Sequence, residues 1–345
     1  MTTLAEVARR AGVSAATASR ALNGSAGRTV APELRDRVLA AAAELDYAPN
    51  AQAQAMARGR TATVGLVVRD ITDPYFSTIA AGVMAAATAR ELLVTIASSE
   101  GDPRRELDLV AMLRRQRLQA VVIAGSRTAD AEMTAAMRTE LAAIRRDGGA
   151  VAAIGQEVLD VPTVVVDNRF GAGALARALY SQGHREVGVL AGPSDLLTAR
   201  DRAEGFVLAL AELGVAPRPA DIVGCDFDRD GGYRAMATLV DRPRRPRCVF
   251  AVNDLVALGA LSAVLDAGLR VPEDIAVAGF DDIPVLRDIR PALTTVALPL
   301  ADLGRRALEL ALESASSTDS LATPESGRGR VVVGGRVQLR ASTRL

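Results

Sequence analysis

One short segment near the N-terminus has side chains suited to contact with DNA. Ala15, Ala16, Thr17, Ser19 and Arg20 are small, hydrogen-bonding or cationic, so they allow close approach to base edges and phosphates. An Arg guanidinium can donate two parallel hydrogen bonds to one guanine. A plain helical hairpin with a solvated Arg is the alternative interpretation of this segment. The flanking elements favour the DNA-binding interpretation.

The flanking elements form a helix-turn-helix pattern. Residues 3–6, Thr-Leu-Ala-Glu, have the form of a capping box, which begins a helix that runs to about position 11. Gly12 suits the left-handed turn that ends a helix. Ser14 is a favoured N-cap, and the spacing predicts a second helix over 15–22.

The remainder of the first 60 residues is also predicted to be helical. A third helix begins at Pro32, the favoured first helical position, and runs to about Leu45. Residues 50–58 are compatible with a helix but too polar and too short to be stable alone. The first 60 residues carry eight Arg and five acidic residues, whereas the whole chain has 41 basic and 41 acidic residues. This mild local excess of positive charge suits contact with phosphates.

Residues 61–345 alternate apolar runs with helical patterns such as 76–90 and 104–116. The runs predict two series of buried parallel strands, 63–68, 93–98, 120–125 and 151–155, then 163–167, 186–192, 222–225, 248–252 and 275–282. This order predicts two doubly wound α/β units in tandem. Ligands bind such sheets outside the carboxyl ends of the strands, so two facing units make a cleft.

Polar and aromatic residues follow several predicted strands. Asp73, Tyr75 and Phe76 come after the first strand, and Asn253 and Asp281 follow the last two main strands. Carboxylate, amide and aromatic groups together suit a polyhydroxyl compound or a heterocycle. The alternatives are core packing for Phe76 and the capping of a turn for Asp281.

Catalytic and metal sites find little support in the sequence. His184 is the only histidine and Lys is absent, so neither a Ser-His-Asp triad nor a Walker lysine is present. Cys225 and Cys248 are the only cysteines and, with one histidine, predict no zinc site. Gly171 and Gly173 nearly match a dinucleotide fingerprint, but the acidic residue expected after the next strand is missing, which favours close helix–sheet packing. We expect no enzyme, cofactor or metal.

Composition gives the cellular context. Hydrophobic residues make up 49% of the chain, enough for buried cores, and the formal net charge is zero. The N-terminus has no signal-peptide pattern, and no stretch of about 18 apolar residues predicts a membrane span. With two cysteines and no disulfide framework, a reducing cytoplasm is the expected location.

The motifs together resemble the lactose-repressor (LacI/GalR) family. The head carries LAEVARRAGVSAATASRALNG and VAPELRDRVLAAAAELDYAPN. The resemblance covers essentially the whole chain, through DITDPYF, VPTVVVDN, GHREVGVLAGP, TARDRAEGF, NDLVALGAL, VPEDIAVAGFDDIP, PALTTVALP and LRAST. It implies a three-helix helix-turn-helix head and a hinge helix, followed by two doubly wound parallel α/β subdomains of the periplasmic-binding-protein-like type.

The resemblance extends the predicted DNA contacts to a hinge helix that folds on operator DNA. Met56 lies where the family usually has a Leu that is levered between base pairs of the minor groove, and Ala53 and Ala57 match small positions beside it. The predicted DNA-binding residues are Thr3, Ser14, Ala15, Ala16, Thr17, Ser19, Arg20, Asn23, Arg28, Asn50, Ala53, Met56 and Ala57.

The resemblance also extends the predicted effector site. Arg202 matches a ligand-clamping Arg, with pairing to Asp201 or Glu204 as the alternative, and Phe227 matches an aromatic that stacks on a ring or sugar face. The predicted effector-binding residues are Asp73, Tyr75, Phe76, Thr198, Arg202, Phe227, Asn253 and Asp281.

The predicted function is that of a DNA-binding transcriptional regulator, with repression the expected sense and activation the alternative. The expected partners are a near-palindromic operator, a sugar or sugar-like effector and a second copy of the chain. A solute-carrier type of ligand-binding protein is the rival class. The predicted domains are a head (1–49), a hinge and linker (50–60), an N-subdomain (61–162 plus 293–328) and a C-subdomain (163–292 plus 329–345), with crossings near 160–163, 290–293 and 325–331.

Overall fold

The computed structural model describes residues 2–23, 30–48, 59–316 and 329–344. The chain divides into two compact units, Met1–Ala62 and Thr63–Leu345. We call the first unit the head and the second the body. Within the described residues, no helix is long and apolar enough to cross a membrane.

The head contains three helices: α1 (Leu4–Ala11), α2 (Ala15–Asn23) and α3 (Pro32–Glu44). Thr3 caps α1 through its hydroxyl and Glu6 reaches back to the Thr3 backbone, which confirms the predicted capping box. Gly12 ends α1 in the left-handed conformation at φ 63°, a region that costs other L-residues energy. Small and β-branched residues form the buried core: Val7, Ala8, Ala11, Ala18, Ala21, Val38, Ala41 and Ala42.

The body follows in chain order as β1 (Thr63–Val68), α4 (Pro74–Thr88), β2 (Leu93–Ser98), α5 (Pro103–Arg115), β3 (Ala120–Ala124), α6 (Ala131–Arg146), β4 (Ala150–Gly155), β5 (Thr163–Val166), α7 (Asn168–Ser181), β6 (Val187–Leu190), α8 (Leu197–Glu212), β7 (Ile222–Val223), α9 (Arg229–Val240), β8 (Cys248–Ala251), α10 (Asp254–Asp266), β9 (Ala276–Ala278), β10 (Thr295–Ala297), α11 (Leu300–Ser316), β11 (Arg330–Val333) and β12 (Arg336–Gln338). Three short 3₁₀ turns lie at Pro219–Asp221, Pro284–Arg287 and Ala341–Thr343.

Two parallel sheets organise the body. The first has the order β11-β5-β4-β3-β1-β2 and the second the order β7-β6-β8-β9. Strands β10 and β12 form a separate antiparallel pair. We call the first sheet with α4, α5, α6 and α11 the first half of the body, and the second sheet with α7 to α10 and the β10–β12 pair the second half. This architecture confirms the predicted fold class.

The position of β5 corrects the sequence analysis, which assigned 163–167 to the second series of strands. Thr163 pairs with Ala153 of β4 on one side and with Arg330 of β11 on the other, so both β5 and β11 belong to the first sheet. Buried parallel strands of either sheet have the same apolar pattern, so composition could not separate them. The chain therefore crosses between halves after β5, after β10 and after β11, each crossing a few residues later than predicted.

Three helix pairs in the body pack backbone against backbone through glycine. One glycine from each helix lies at the contact: Gly82 and Gly304 in α4 and α11, Gly173 and Gly205 in α7 and α8, Gly232 and Gly259 in α9 and α10. A Cβ built on Gly82 would overlap the carbonyl oxygen of Ala301. A Cβ on Gly205, Gly232, Gly259 or Gly304 would likewise overlap a backbone oxygen of the partner helix, whereas Gly173 has room for one at ordinary contact distance.

The near-match to a dinucleotide fingerprint is explained by the same kind of packing. A Cβ on Gly171 would lie 2.9 Å from Phe280 Cζ and 3.3 Å from Val296 Cγ1 of β10. A Cβ on Gly173 would lie 3.4 Å from both Ala209 Cβ and the Gly205 carbonyl oxygen of α8. The prediction of close helix–sheet packing is confirmed for Gly171. It is wrong for Gly173, which faces a helix at ordinary contact distance.

Candidate functional site

The exposed side of α2 presents small residues. Ala18 and Ala21 face the head core, whereas Ala15 and Ala16 are exposed. Arg20 Nε donates to the Ala16 carbonyl oxygen at 3.0 Å, which holds the side chain along the helix. The small exposed residues would allow the helix backbone to lie close to the floor of a DNA groove.

Ser14 and Thr17 belong to the start of α2. The Thr17 backbone N–H donates to Ser14 Oγ at 3.1 Å, and the two hydroxyls lie 2.8 Å apart. Both are therefore tied to the turn between the helices, as the predicted N-cap requires. A helix N-terminus that faces DNA also favours a phosphate, because its backbone N–H groups carry partial positive charge.

The remaining predicted DNA contacts are only partly described. Thr3 is occupied as the cap of α1, and Ser19 lies half-buried on α2. Asn23 is the last residue of α2, and the structure does not describe its side chain. Five further predicted residues are not among those that the structure describes and stay predictions: Arg28, Asn50, Ala53, Met56 and Ala57.

In the body, predicted effector-binding residues lie at the carboxyl ends of both sheets, where the two halves face each other, and we call this region the cleft. Arg202 of α8 lies at its centre and is only 2% exposed. Its Nε donates to Asn168 Oδ1 at 2.8 Å, one Nη to the Val252 carbonyl oxygen at 2.8 Å, and the other Nη to Asp281 Oδ1 at 2.7 Å. The guanidinium also lies 3.9 Å from the ring centroid of Phe280. Arg202 therefore ties α7, β8 and the segment after β9 together.

Asp281 is the counter-charge of Arg202 and has an unusual backbone. Its φ is 124°, outside the regions that side-chain-bearing residues normally adopt. Burial raises the pKa of the Asp281 carboxyl to about 8, and the neighbouring Arg202 cation opposes this rise. Strain and a perturbed pKa at one buried residue are typical of functional sites.

Asp73 and Tyr75 bring the first half of the body to the same cleft. Asp73 caps α4 by accepting from the Tyr75 backbone N–H at 2.8 Å. Burial raises the pKa of Asp73 to about 6. Burial, and then the Asp281 carboxylate, raise the pKa of Tyr75, so these groups are close enough to interact across the cleft. Phe76 is 5% exposed in the core and meets Tyr75 edge-on, which favours the packing alternative.

Asn253 and Phe227 lie on the second half. Asn253 Oδ1 accepts from the Val256 backbone N–H at 2.7 Å, so its main role is to cap α10. Its Nδ2 lies 3.4 Å from the Phe227 carbonyl oxygen. The half-buried Phe227 ring lies 6.0 Å from the guanidinium carbon of Arg69, a residue of the first half.

Backbone hydrogen bonds join the two halves beside the cleft. The Leu197 N–H donates to the Arg127 carbonyl oxygen at 2.9 Å, and the Ala129 N–H to the Asp195 carbonyl oxygen at 2.9 Å. Thr198 takes part as well, because its N–H donates to Ser126 Oγ at 2.9 Å. Its hydroxyl also accepts from Gln156 Nε2, at 2.8 Å. Thr198 therefore connects the two halves.

The single histidine lies apart from the cleft. His184 is 3% exposed, and its Nε2 lies 2.9 Å from the Thr343 carbonyl oxygen. Burial lowers its pKa. These contacts support the structural role expected for it. Within the ranges that the structure describes, no cluster of three or more His, Cys, Asp or Glu residues could hold a metal ion.

Comparison with known proteins gives the context for both sites. The family model described as "Bacterial regulatory proteins, lacI family" matches residues 3–50, and that described as "Periplasmic binding protein-like domain" matches residues 176–343. The HTH-type transcriptional regulator GalS of Salmonella typhimurium is 37% identical over 318 residues, covering 92% of this chain and 91% of GalS. The chain belongs to the LacI family. It is a helix-turn-helix transcriptional regulator.

Solved structures of LacI-family proteins share the architecture. A complex of the transcriptional regulator CelR with cellobiose is 30% identical, covers 99% of this chain and 100% of its own, and has a TM-score of 0.70. The lac repressor dimer bound to operator and the anti-inducer ONPF has a TM-score of 0.83 at 24% identity, covering 100% and 99% of the two chains. Both structures agree with the fold of this chain over essentially its full length.

Several residues of this LacI-family cleft were missed by sequence reasoning. Asn168 orients Arg202, and Asp254 is fully buried, accepting from Thr295 Oγ1 at 2.7 Å and from the Ile283 N–H at 3.0 Å. Burial raises the pKa of Asp254 to about 6. Asn168 comes two residues after β5 and Asp254 follows Asn253, so the rule of strand-end polar residues could have identified both.

Proposed function

We propose that the protein is a homodimeric repressor whose affinity for a near-palindromic operator is set by a sugar or related metabolite held in the cleft of the body. One observation carries this proposal. The same chain joins a head with an exposed, small-residue helix α2 to a body in which Asp73, Tyr75, Arg202 and Asp281 converge from two halves. The complex of CelR with cellobiose supports a sugar.

In this proposal each head places α2 in a major groove. Two heads of a dimer then contact half-sites about one helical turn, or a multiple of it, apart. Ala15 and Ala16 let α2 lie close to the bases, and Arg20 reads a guanine. Residues 50–60 form the hinge, with Met56 as the apolar wedge in the minor groove.

The effector changes operator affinity by binding one arrangement of the two halves better than another. The hydrogen bonds of Thr198, Leu197 and Ala129 to the first half define a closed arrangement. A ligand shifts the equilibrium only by its differential affinity for the two arrangements. By linkage, operator DNA must change the ligand affinity by the same factor.

The first prediction concerns Arg20. An operator is selected from a random palindromic library, and binding of parent and variant is then titrated at fixed salt concentration. Arg20→Ala should cost roughly 1–3 kcal/mol on this operator and relax its preference at one base pair per half-site. The matched control is Arg10→Ala, because Arg10 lies on α1 and pairs with Glu44 at 2.6 Å.

Arg10→Ala should leave the base preference unchanged. Equal base preference in Arg20→Ala and the parent would contradict the role given to Arg20. Failure of the library to yield any preferred sequence would favour the rival class, a ligand-binding carrier without a regulatory role.

We further propose that the protein catalyses no reaction.

A further inference from the structure

We propose that the effector carries a carboxylate or phosphate group and that Arg69 binds this group in the cleft. The inference rests on the proposed function, because it assigns the ligand class of the same cleft. Arg69 is a cationic residue of the body that was not among the predicted effector-binding residues.

Arg69 lies where the two halves of the body face each other. It directly follows β1, at the carboxyl edge of the first sheet, and it is half-buried. Its guanidinium carbon lies 6.0 Å from the centroid of the Phe227 ring, which comes from the second half. On its other side the guanidinium lies close to the backbone of Gly101, where a Cβ would be only 3.0 Å from the same carbon. The cation is therefore held within the cleft and not out in solvent.

The guanidinium of Arg69 has no counter-charge in direct contact. Among the described residues it makes no hydrogen bond or ion pair, whereas Arg127 pairs with Glu106 through two bonds of 2.7 Å and Arg202 pairs with Asp281. A half-buried guanidinium that has lost part of its hydration gains from any anion that restores the missing bonds.

The neighbouring carboxylates are oriented elsewhere. Asp70 accepts from the backbone N–H and the hydroxyl of Thr72, at 2.8 and 2.7 Å. Asp73 accepts from the Tyr75 backbone N–H and lies near enough for Arg69 to favour its ionised form. Both carboxylates serve their own turns. They lower the positive potential around Arg69 but leave its donors unused.

A small cavity lies beside this guanidinium. Its volume is about 50 Å³, and its wall comes mainly from the first half of the body, with Arg69, Ser99, Ser126, Arg127 and Thr134. Asp73, Tyr75, Arg202 and Asp281 do not border it, so Arg69 is the residue that connects this cavity with the cleft. A cavity needs roughly 10–15 Å³ to hold one water molecule, so this cavity has room for a group the size of a carboxylate or phosphate. Asp102 and Glu106 also border it, but Asp102 caps α5 and Glu106 is paired with Arg127. Guanidinium and hydroxyl donors of this kind bind an anionic group of a ligand more strongly than they bind a neutral hydroxyl group of a ligand.

The test compares matched ligands that differ in charge. Thermal shift and calorimetry are run on the full-length protein with glucose, glucuronate, glucose 6-phosphate and inorganic phosphate, at equal ionic strength. We expect at least one anion to bind tenfold or more tightly than glucose. The glucuronate and phosphate arms distinguish a carboxylate from a phosphate ligand.

Two variants and one control assign the effect to Arg69. Arg69→Gln should weaken anion binding at least tenfold and leave glucose binding unchanged, and Arg69→Lys should retain part of the preference for the anion. Arg146→Gln, at the exposed end of α6, removes an Arg outside the cleft and should have no effect. The absence of any anion-specific stabilisation, or an anion preference that survives in Arg69→Gln, would overturn the proposal.

Operator binding separates this proposal from the broader one. A neutral sugar that binds and alters operator affinity equally in the parent and in Arg69→Gln would support an effector-controlled regulator and refute the anionic class. Anion binding through Arg69 with no effect on operator affinity would support the site and refute its coupling to DNA.

Discussion

Replacing Asp281 by Asn is expected to lower the free energy of unfolding by about 3 kcal/mol or more and to remove the ligand response of the cleft. The substitution leaves the Arg202 guanidinium, 2% exposed, without its counter-charge. A buried ion pair that loses one partner typically costs about 3–5 kcal/mol. Arg cannot escape this cost by deprotonation, so the variant should have no titration at this pair. The parent does titrate there, because burial raises the pKa of Asp281 from 3.8 to about 8, and its stability therefore falls as pH rises towards 8. The loss in Asp281→Asn should therefore be larger at pH 6 than at pH 9.

The reverse substitution, Arg202→Met, should behave differently. It leaves Asp281 unpaired, but this carboxyl can neutralise itself, because burial already raises its pKa to about 8 with Arg202 in place. Removal of the cation raises that pKa further. A group with a folded-state pKa above its unfolded value of 3.8 loses its stabilising contribution as pH rises through the folded pKa. Arg202→Met should therefore be milder at pH 6 and worse at pH 9.

Urea unfolding at pH 6, 7.5 and 9 measures both substitutions. The double variant should be more stable than the sum of the two losses predicts, because the residues are in direct contact. Additive losses, or equal pH dependence in the two single variants, would contradict the ion-pair interpretation. Because Asp281 also stabilises the fold, a loss of ligand binding in Asp281→Asn could come from unfolding. Ligand binding and the free energy of unfolding must therefore be measured on the same sample of this variant.

The second large effect is expected at Gly82, where α4 crosses α11. On helix propensity alone, Gly82→Ala should stabilise the protein by roughly 1 kcal/mol. The added Cβ would, however, overlap the backbone of Ala301, which cannot rotate away as a side chain does. We expect a net loss of about 3 kcal/mol, since the two helices must separate.

The neighbouring residue provides the matched control for this substitution. Ala81 is exposed on the same helix, so Ala81→Gly should cost only the intrinsic difference of roughly 1 kcal/mol. Thermal or urea unfolding of the two variants gives the comparison. A Gly82→Ala protein as stable as the parent would show that α4 and α11 do not need this close approach.

Local patterns were the most predictable part of the fold. The capping box at Thr3 and Glu6, the left-handed Gly12 and the cap at Ser14 depend on residues within a few positions of each other. Strand and helix positions in the body also followed from periodicity. The sheet to which β5 belongs did not, because it depends on pairing with β4 and with β11, which lies over 160 positions away.

The partners of Arg202 show the same limit at the candidate site. The sequence offered Asp201 and Glu204, its neighbours on the helix, as alternative partners. In the structure both carboxylates pair with Arg169 instead, at 2.9 and 2.5 Å. Arg202 points inward to Asn168 and Asp281, 34 and 79 positions away. Which side of α8 faces the cleft is a property of the packed fold, and single-residue patterns do not contain it.

The glycine-lined helix pairs have a mechanical consequence for the cleft. Where two backbones touch, no side chain can change rotamer to absorb a displacement, so each pair is stiff. The pair α4–α11 stiffens the first half, and the pairs α7–α8 and α9–α10 stiffen the second. Bending is then concentrated in the short connections after β5, β10 and β11, and ligand binding should change the angle between two nearly undeformed blocks.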